Sequence, residues 1–200
     1  MQIAPEQACP GGALLIALGA NLPAGGRAPE ETLRWAAAEA GRRLSADGTA
    51  WRLSPLYRTP AYPPGAGPDY VNAVMELTTE RTPAESLAEL HRIEALADRQ
   101  RESRWAARTL DLDLLDAGGA VVPDAATVRR WVDLDATEQA RRSPEELILP
   151  HPRLQDRGFV LVPLVELAPD WRHPVLDRTA RALLDALPPD QLEGIRPLES

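Results

Sequence analysis

The chain has 200 residues and a mass of 21.8 kDa, 44% hydrophobic and 26% charged, which fits one large domain or one domain with an insertion. Thirty acids against 22 bases give a net charge of −8, which argues against coating nucleic acid by bulk charge but leaves room for a local basic pocket. The one cysteine, Cys9, excludes an internal disulfide and a thiolate zinc cage, and every base is Arg, so lysine-dependent phosphate loops and Schiff bases are excluded too.

The longest apolar run, residues 13–18, is too short to span a bilayer, and no basic segment of a secretory signal precedes it. A cytoplasmic protein with no membrane partner is expected. Residues 1–12 read as a flexible tail, 13–187 as one domain and 188–200 as a second tail. The run 13–18 predicts a buried central strand. Leu33, Ala36, Ala37, Ala40 and Leu44 recur at helical spacing. Trp51, Leu53, Pro55 and Tyr57 alternate with polar residues, as in a strand, and a proline-rich loop leads to a further strand over 70–78. Thr82-Pro83-Ala84-Glu85 is a capping box that opens a helix to about residue 98.

Residues 99–108 are polar and rich in Arg, so a loop is expected, and 109–115 alternate as a fourth strand. Residues 116–119 form a turn. One helix with a weak apolar face is expected over 124–142, with an insertion around 125–144, and Ser143-Pro144-Glu145-Glu146 is a second capping signature. Residues 159–167 predict a helix despite Pro163, and 179–187 a last amphipathic one. The order strand, helix, strand, strand, helix, strand predicts an α+β fold. It is a ferredoxin-like split βαβ sheet, mostly antiparallel, with helices packed on it and a C-terminal helical extension.

The strongest local chemistry lies in Thr109-Leu110-Asp111-Leu112-Asp113-Leu114-Leu115. On a strand the leucines face the core and Asp111 and Asp113 face away together, about 6.6 Å apart at about 3.3 Å per residue. Such a pair suits hard cations that also bind phosphate. Just upstream stand Arg99, Arg101, Arg104 and Arg108, the residue type that grips phosphate oxygens in pairs. His151, Arg153 and Arg157 fall together in a second segment, and Tyr70 with Asn72 at a strand start suits a planar ring. A solvated charged loop and strand face are the bland alternative.

Several segments together resemble one family. They are Leu18-Gly19-Ala20-Asn21-Leu22, Ser54-Pro55-Leu56-Tyr57-Arg58-Thr59-Pro60, Pro68-Asp69-Tyr70-Val71-Asn72-Ala73, Arg104-Trp105-Ala106-Ala107-Arg108-Thr109-Leu110-Asp111-Leu112-Asp113 and Leu149-Pro150-His151-Pro152-Arg153 with Arg157-Gly158-Phe159. The family is 6-hydroxymethyl-7,8-dihydropterin pyrophosphokinase, of folate biosynthesis. The resemblance implies transfer of the β,γ-diphosphate of ATP to the pterin hydroxymethyl group, with release of AMP and with two Mg²⁺ ions. It implies that Asp111 and Asp113 hold the metals and that Arg99, Arg101 and Arg108 grip the phosphates. Glu94, His151 and Arg157 would meet ATP, with His91 a candidate nucleotide contact. Tyr70 and Phe159 would sandwich the pterin, with Asn72 and Thr59 at its edge. No nucleic-acid partner is implied, and a monomer is expected. The family usually reads Trp-Gly-Pro-Arg where this chain has Trp105-Ala106-Ala107-Arg108. The alternative to the enzyme is a non-catalytic ferredoxin-like module that binds ATP, pterin or RNA.

Overall fold

The computed structural model describes residues 11–46, 50–61, 67–97 and 109–199. The apolar run becomes β1 (Gly12–Ala20), which pairs antiparallel with β4 (Tyr70–Thr79) on one side and β5 (Asp111–Ala117) on the other. Leu14, Ile16 and Leu18 point to one face and Leu15 and Ala17 to the other, and all five are buried. A strand covered on both faces needs apolar residues at every position, so its sequence does not alternate. Beyond β4 lie β2 (Trp51–Leu53) and β3 (Tyr57–Thr59), both antiparallel to it. Among the described residues the sheet has six strands, in the order β5-β1-β4-β3-β8 with β2 on β4, where β8 is Arg196–Pro197. Strands β1 and β3 thus share a direction with β4 between them, the ferredoxin-like split βαβ arrangement.

Helices α1 (Pro29–Leu44) and α2 (Pro83–Leu96) cover one face through Leu33, Ala37, Leu90 and Ile93. Arg43 of α1 reaches Glu89 of α2 at 2.8 Å and holds the two side by side. Helices α5 (Gly158–Leu167) and α6 (Ala180–Leu184) cover the other face through Val160, Leu161, Leu164 and Leu183.

Several sequence expectations need correction. The strand expected through Trp51, Leu53, Pro55 and Tyr57 breaks in two, because Pro55 has no N–H to give the ladder. Ser54 fills the gap, exchanging its N–H with the Val74 carbonyl and its hydroxyl with the Val74 N–H. The helix expected over 124–142 is α3 (Ala125–Val132) followed by α4 (Ala136–Arg141). Asp135 divides them by capping α4, its carboxylate accepting from the N–H groups of Thr137 and Glu138 at 2.9 Å. The capping signature at Ser143 opens no helix: Pro150 follows within two turns, and Leu149 is drawn into an antiparallel bridge with Val122. Helix α6 is shorter than 179–187 because its last turn tightens to i→i+3 bonds, Ala186 to Leu183 and Leu187 to Leu184, ahead of Pro188. Residues 188–199 are not a loose tail. Strand β8 pairs with β3, and the Leu198 N–H bonds to the Leu56 carbonyl at 2.8 Å. The turn before β8 packs so closely on Gly158 that a Cβ there would stand 2.0 Å from the Gln191 carbonyl oxygen.

A small hairpin of β6 (Arg172–His173) and β7 (Arg178–Thr179) sits between α5 and α6 in the chain. His173 is fully buried there, its Nδ1 accepting from the N–H groups of Val175 and Leu176, both at 3.2 Å. Burial pushes its pKa down to about 4, whereas an imidazole of the unfolded chain takes its proton near 6.5. Between those values the unfolded chain binds more protons, so the contribution is complete above about pH 6.5 and is lost as pH falls toward 4. Urea unfolding at pH 7 and pH 5 should show a loss on the order of 1–2 kcal/mol from this group. His173→Asn should reduce the difference between the two pH values by that amount, whatever its effect at pH 7; an unchanged difference would place the acid sensitivity elsewhere.

Candidate active site

A cleft of about 730 Å³ opens at one end of the sheet, where β1 and β3 finish and β4 and β5 begin. Its floor is set by strand register. Gly19 of β1 lies opposite Asn72 of β4 on one side and Asp111 of β5 on the other. Their neighbours Leu18, Ala73 and Leu112 face α1 and α2, so Asn72, Gly19 and Asp111 form a row on the opposite face. Ala17 opposite Asp113 makes the next row. Only glycine fits at position 19 without displacing its neighbour, because a Cβ would stand 2.9 Å from Asn72 Oδ1. The Asn72 amide donates to the Thr59 hydroxyl at 2.7 Å, and both residues are buried.

Among the described residues the outer edge of β5 has no strand beside it, and side-chain and loop groups take up its backbone. Glu94, near the end of α2 and 3% exposed, accepts from the Leu112 N–H at 2.9 Å. The His151 N–H donates to the Leu115 carbonyl at 2.8 Å, where a register shift bulges β5. His151 Nδ1 accepts from the Arg153 N–H at 3.2 Å, which leaves the ring proton on Nε2 as a donor. Burial pushes the His151 pKa down to about 4, against the pull of Asp113 and with the repulsion of Arg157 and Arg153. The imidazole is therefore neutral at pH 7. Arg157, at the start of α5, pairs with Asp113 at 3.4 Å, and its guanidinium lies 5.6 Å from the centre of the Phe159 ring.

Thr59, Tyr70, Asn72 and Phe159 line the cleft, as do His91, Glu94, His151 and Arg157, and as do Asp111 and Asp113. Every described residue singled out from the sequence is thus brought to one place. Arg99, Arg101 and Arg108 lie outside the described residues. Phe159 is 38% exposed although it belongs to an apolar helix, which suits a ring kept for a ligand. Glu94 reaches the cleft, but one of its carboxylate oxygens is bound to the backbone of β5. Sequence reasoning gave no role to Gly19, or to residues 142–147, which also line the cleft. The first is legible only through its cross-strand partners, the second only through the path of the chain.

Asp111 and Asp113 suit hard divalent cations. Both are carboxylates on one strand face and partly exposed to the cleft. Among the described residues no group of three or more His, Cys, Asp or Glu is placed to hold a metal by itself. A site of one or two carboxylates is what magnesium uses when phosphate and water supply the remaining oxygens.

A model of the 7,8-dihydro-6-hydroxymethylpterin-pyrophosphokinase (HPPK) family matches residues 15–169. Three curated relatives are named 2-amino-4-hydroxy-6-hydroxymethyldihydropteridine pyrophosphokinase. The protein from Pseudomonas aeruginosa is 36% identical over 183 residues, 92% of this chain and 94% of the relative. That from Haemophilus influenzae is 37% identical over 155 residues, 78% of this chain and 81% of the relative. That from Synechocystis sp. is 39% identical over 134 residues, 67% of this chain but 58% of the relative. The fold also matches the crystal structure of wild-type Plasmodium falciparum HPPK-DHPS with pteroate, with a TM-score of 0.61 at 14% identity. The match covers 88% of this chain and 44% of that one, a likeness of fold alone. With the family model over most of its length and such relatives on either side, the chain belongs to the 7,8-dihydro-6-hydroxymethylpterin-pyrophosphokinase family.

Proposed function

We propose that this chain performs the reaction for which its family is named: it transfers the β,γ-diphosphate of ATP to the hydroxymethyl group of 6-hydroxymethyl-7,8-dihydropterin and releases AMP. The observation that carries this reading is the convergence, in one cleft, of two outward carboxylates, a guanidinium, a neutral imidazole and an exposed aromatic ring. The hydroxymethyl oxygen attacks the β-phosphorus and gives up its proton, and the bond from that phosphorus to the oxygen shared with the α-phosphorus breaks as AMP leaves. Such transfers depend on positioning and charge neutralisation more than on covalent help from the protein.

Asp111 and Asp113 would hold two magnesium ions, which when bound neutralise phosphate charge. Arg157 meets a phosphate oxygen with two donors, and His151 donates to another from Nε2. Arg99, Arg101 and Arg108, between α2 and β5 in the chain, add guanidiniums for the transferred group. His91 and Glu94 stand on the nucleotide side. Tyr70 and Phe159 stack on the pterin, and Asn72 with Thr59 reads its edge, where an amide offers donor and acceptor together. The need for ATP supports a reaction in the cytoplasm.

Incubation with ATP, Mg²⁺ and the reduced pterin alcohol, followed by chromatography of the nucleotides, tests the reading. AMP is expected; ADP would indicate transfer of a single phosphoryl group, and no nucleotide product would indicate a binding module. Asp111→Asn and Asp113→Asn should each lower turnover by about 100-fold or more, roughly 2.7 kcal/mol of transition-state stabilisation, with the melting temperature preserved. Near-normal turnover of either variant at limiting Mg²⁺ would remove it from the metal site. Asn72→Ala should weaken pterin binding by about ten- to hundredfold, for a buried edge left unpaired at about 1–3 kcal/mol. ATP affinity should stay within about twofold. Calorimetric titration of both ligands decides this, and unchanged pterin affinity in a folded variant would place the pterin elsewhere.

A further inference from the structure

Residues 124–147 leave the body of the fold after β5 and return just before His151. The excursion is closed at its base by one antiparallel bridge, in which Val122 and Leu149 exchange both backbone bonds at 2.9 and 3.0 Å. It carries α3 and α4 and none of the residues given a role above. It is nevertheless tied down. Val128 is fully buried, and Arg129 Nη2 donates to the Val175 carbonyl at 3.0 Å, beside the β6–β7 hairpin.

Two features bring the excursion to the site. Its exit, residues 142–147, lines the same cleft as Leu87 and His91 of α2. Its one buried amide side chain, Gln139, grips the turn that presents the nucleotide-side residues. Gln139 Nε2 donates to the Leu134 carbonyl at 2.8 Å and to Asp156 Oδ2 at 3.3 Å, and the main-chain carbonyl of Gln139 accepts from Arg153 Nη1 at 3.5 Å. Arg153 gives its backbone N–H to His151 Nδ1, fixing the imidazole. Asp156 precedes Arg157, whose guanidinium pairs with Asp113. A single residue of the excursion therefore touches the segment from His151 to Arg157 at two places, Asp156 through its side chain and Arg153 through its main chain. Only a side chain that donates can satisfy a carbonyl and a carboxylate together.

We propose that Gln139 is a positioning residue for the nucleotide: through it, the excursion 124–147 fixes the turn that aims His151 and Arg157, while its exit walls the cleft, and so it sets the affinity for ATP. This rests on the reading of the cleft as an ATP site. Gln139→Leu keeps the bulk and removes the donors. Gln139→Glu sets a carboxylate against Asp156, and like charges in contact repel. Steady-state constants for both substrates, and calorimetry with Mg²⁺ and a non-hydrolysable ATP analogue, are measured alongside the melting temperature. The KM for ATP and the Kd for the analogue should rise about fivefold in Gln139→Leu and about tenfold or more in Gln139→Glu, with the KM for the pterin within about twofold. A lower melting temperature with both Michaelis constants unchanged means a role in stability alone and overturns the proposal. A second construction, with 124–146 replaced by a short Gly-Ser turn from Pro123 to Leu147, should bind the analogue at least as weakly as Gln139→Glu; wild-type affinity there also overturns it. If the unaltered chain binds no ATP, the reading of the cleft fails with it. If the unaltered chain binds ATP and both Gln139 variants bind within about twofold of it, this inference alone fails.

Discussion

The last strand of an open sheet leaves backbone N–H and C=O groups with no strand to pair with, and proteins must cover, charge or use them. In β5 they are used. The N–H of Leu112 is taken by the Glu94 carboxylate, and the carbonyl of Leu115 by the N–H of His151. Both bonds fall beside the strand that carries Asp111 and Asp113. The helix on one side and the loop that carries His151 on the other are therefore registered against the two carboxylates by backbone bonds, whose geometry tolerates little drift. A carboxylate buried at 3% exposure would be costly without a donor, and the edge N–H provides one. The requirement to satisfy an edge and the requirement to place a site are met by the same contacts.

The electrostatics of the cleft follow from the same framework. An overall charge of −8 repels a nucleotide triphosphate at a distance, so attraction has to be local. In the proposed reaction Arg157 would supply it while also tempering Asp113, with which it pairs. His151 adds a hydrogen-bond donor and no charge, because burial lowers its proton affinity and Arg153 occupies its other nitrogen. Asp116, a little farther along β5, is the contrasting case. Burial raises its pKa, while the Gly119 N–H and the Trp171 indole hold the carboxyl in place away from the cleft. Three aspartates within six residues of one strand thus serve different ends according to how far along the strand they stand and how deeply they lie.

Much of this was legible in the sequence. The unbroken run at residues 13–18 identified the central strand, and the alternation of Leu110, Leu112 and Leu114 with Asp111 and Asp113 identified both faces of β5, since side-chain direction on a strand has period two. The resemblance of five short segments supplied their common destination, and the cleft is lined by residues from each of them. What stayed hidden depends on partners distant in the chain. Gly19 matters because Asn72 and Asp111 flank it, 53 and 92 residues away, and no local pattern announces that row. The Ser143 capping signature opens no helix because the chain runs on, extended, into the Val122–Leu149 bridge. The segment after Pro188 reads as polar and irregular, yet β3 offers it an edge. Pro55 and Asp135 were different: the chemistry that breaks the strand and divides the helix was present locally, and apolar spacing outweighed it.

The bridge between Val122 and Leu149 has a consequence of another kind. Because two backbone bonds close its base, the chain between those residues can lengthen or shorten at only a slow logarithmic cost in closure entropy, and the sheet on the other side of the bridge need not adjust. Here the tolerant segment borders the reaction cleft, so changes admitted because they do no harm to folding are at once visible to selection on function. The architecture keeps the part of the molecule that can be rewritten next to the part that must hold its geometry, joined at the bridge and by the few contacts of Val128, Arg129 and Gln139.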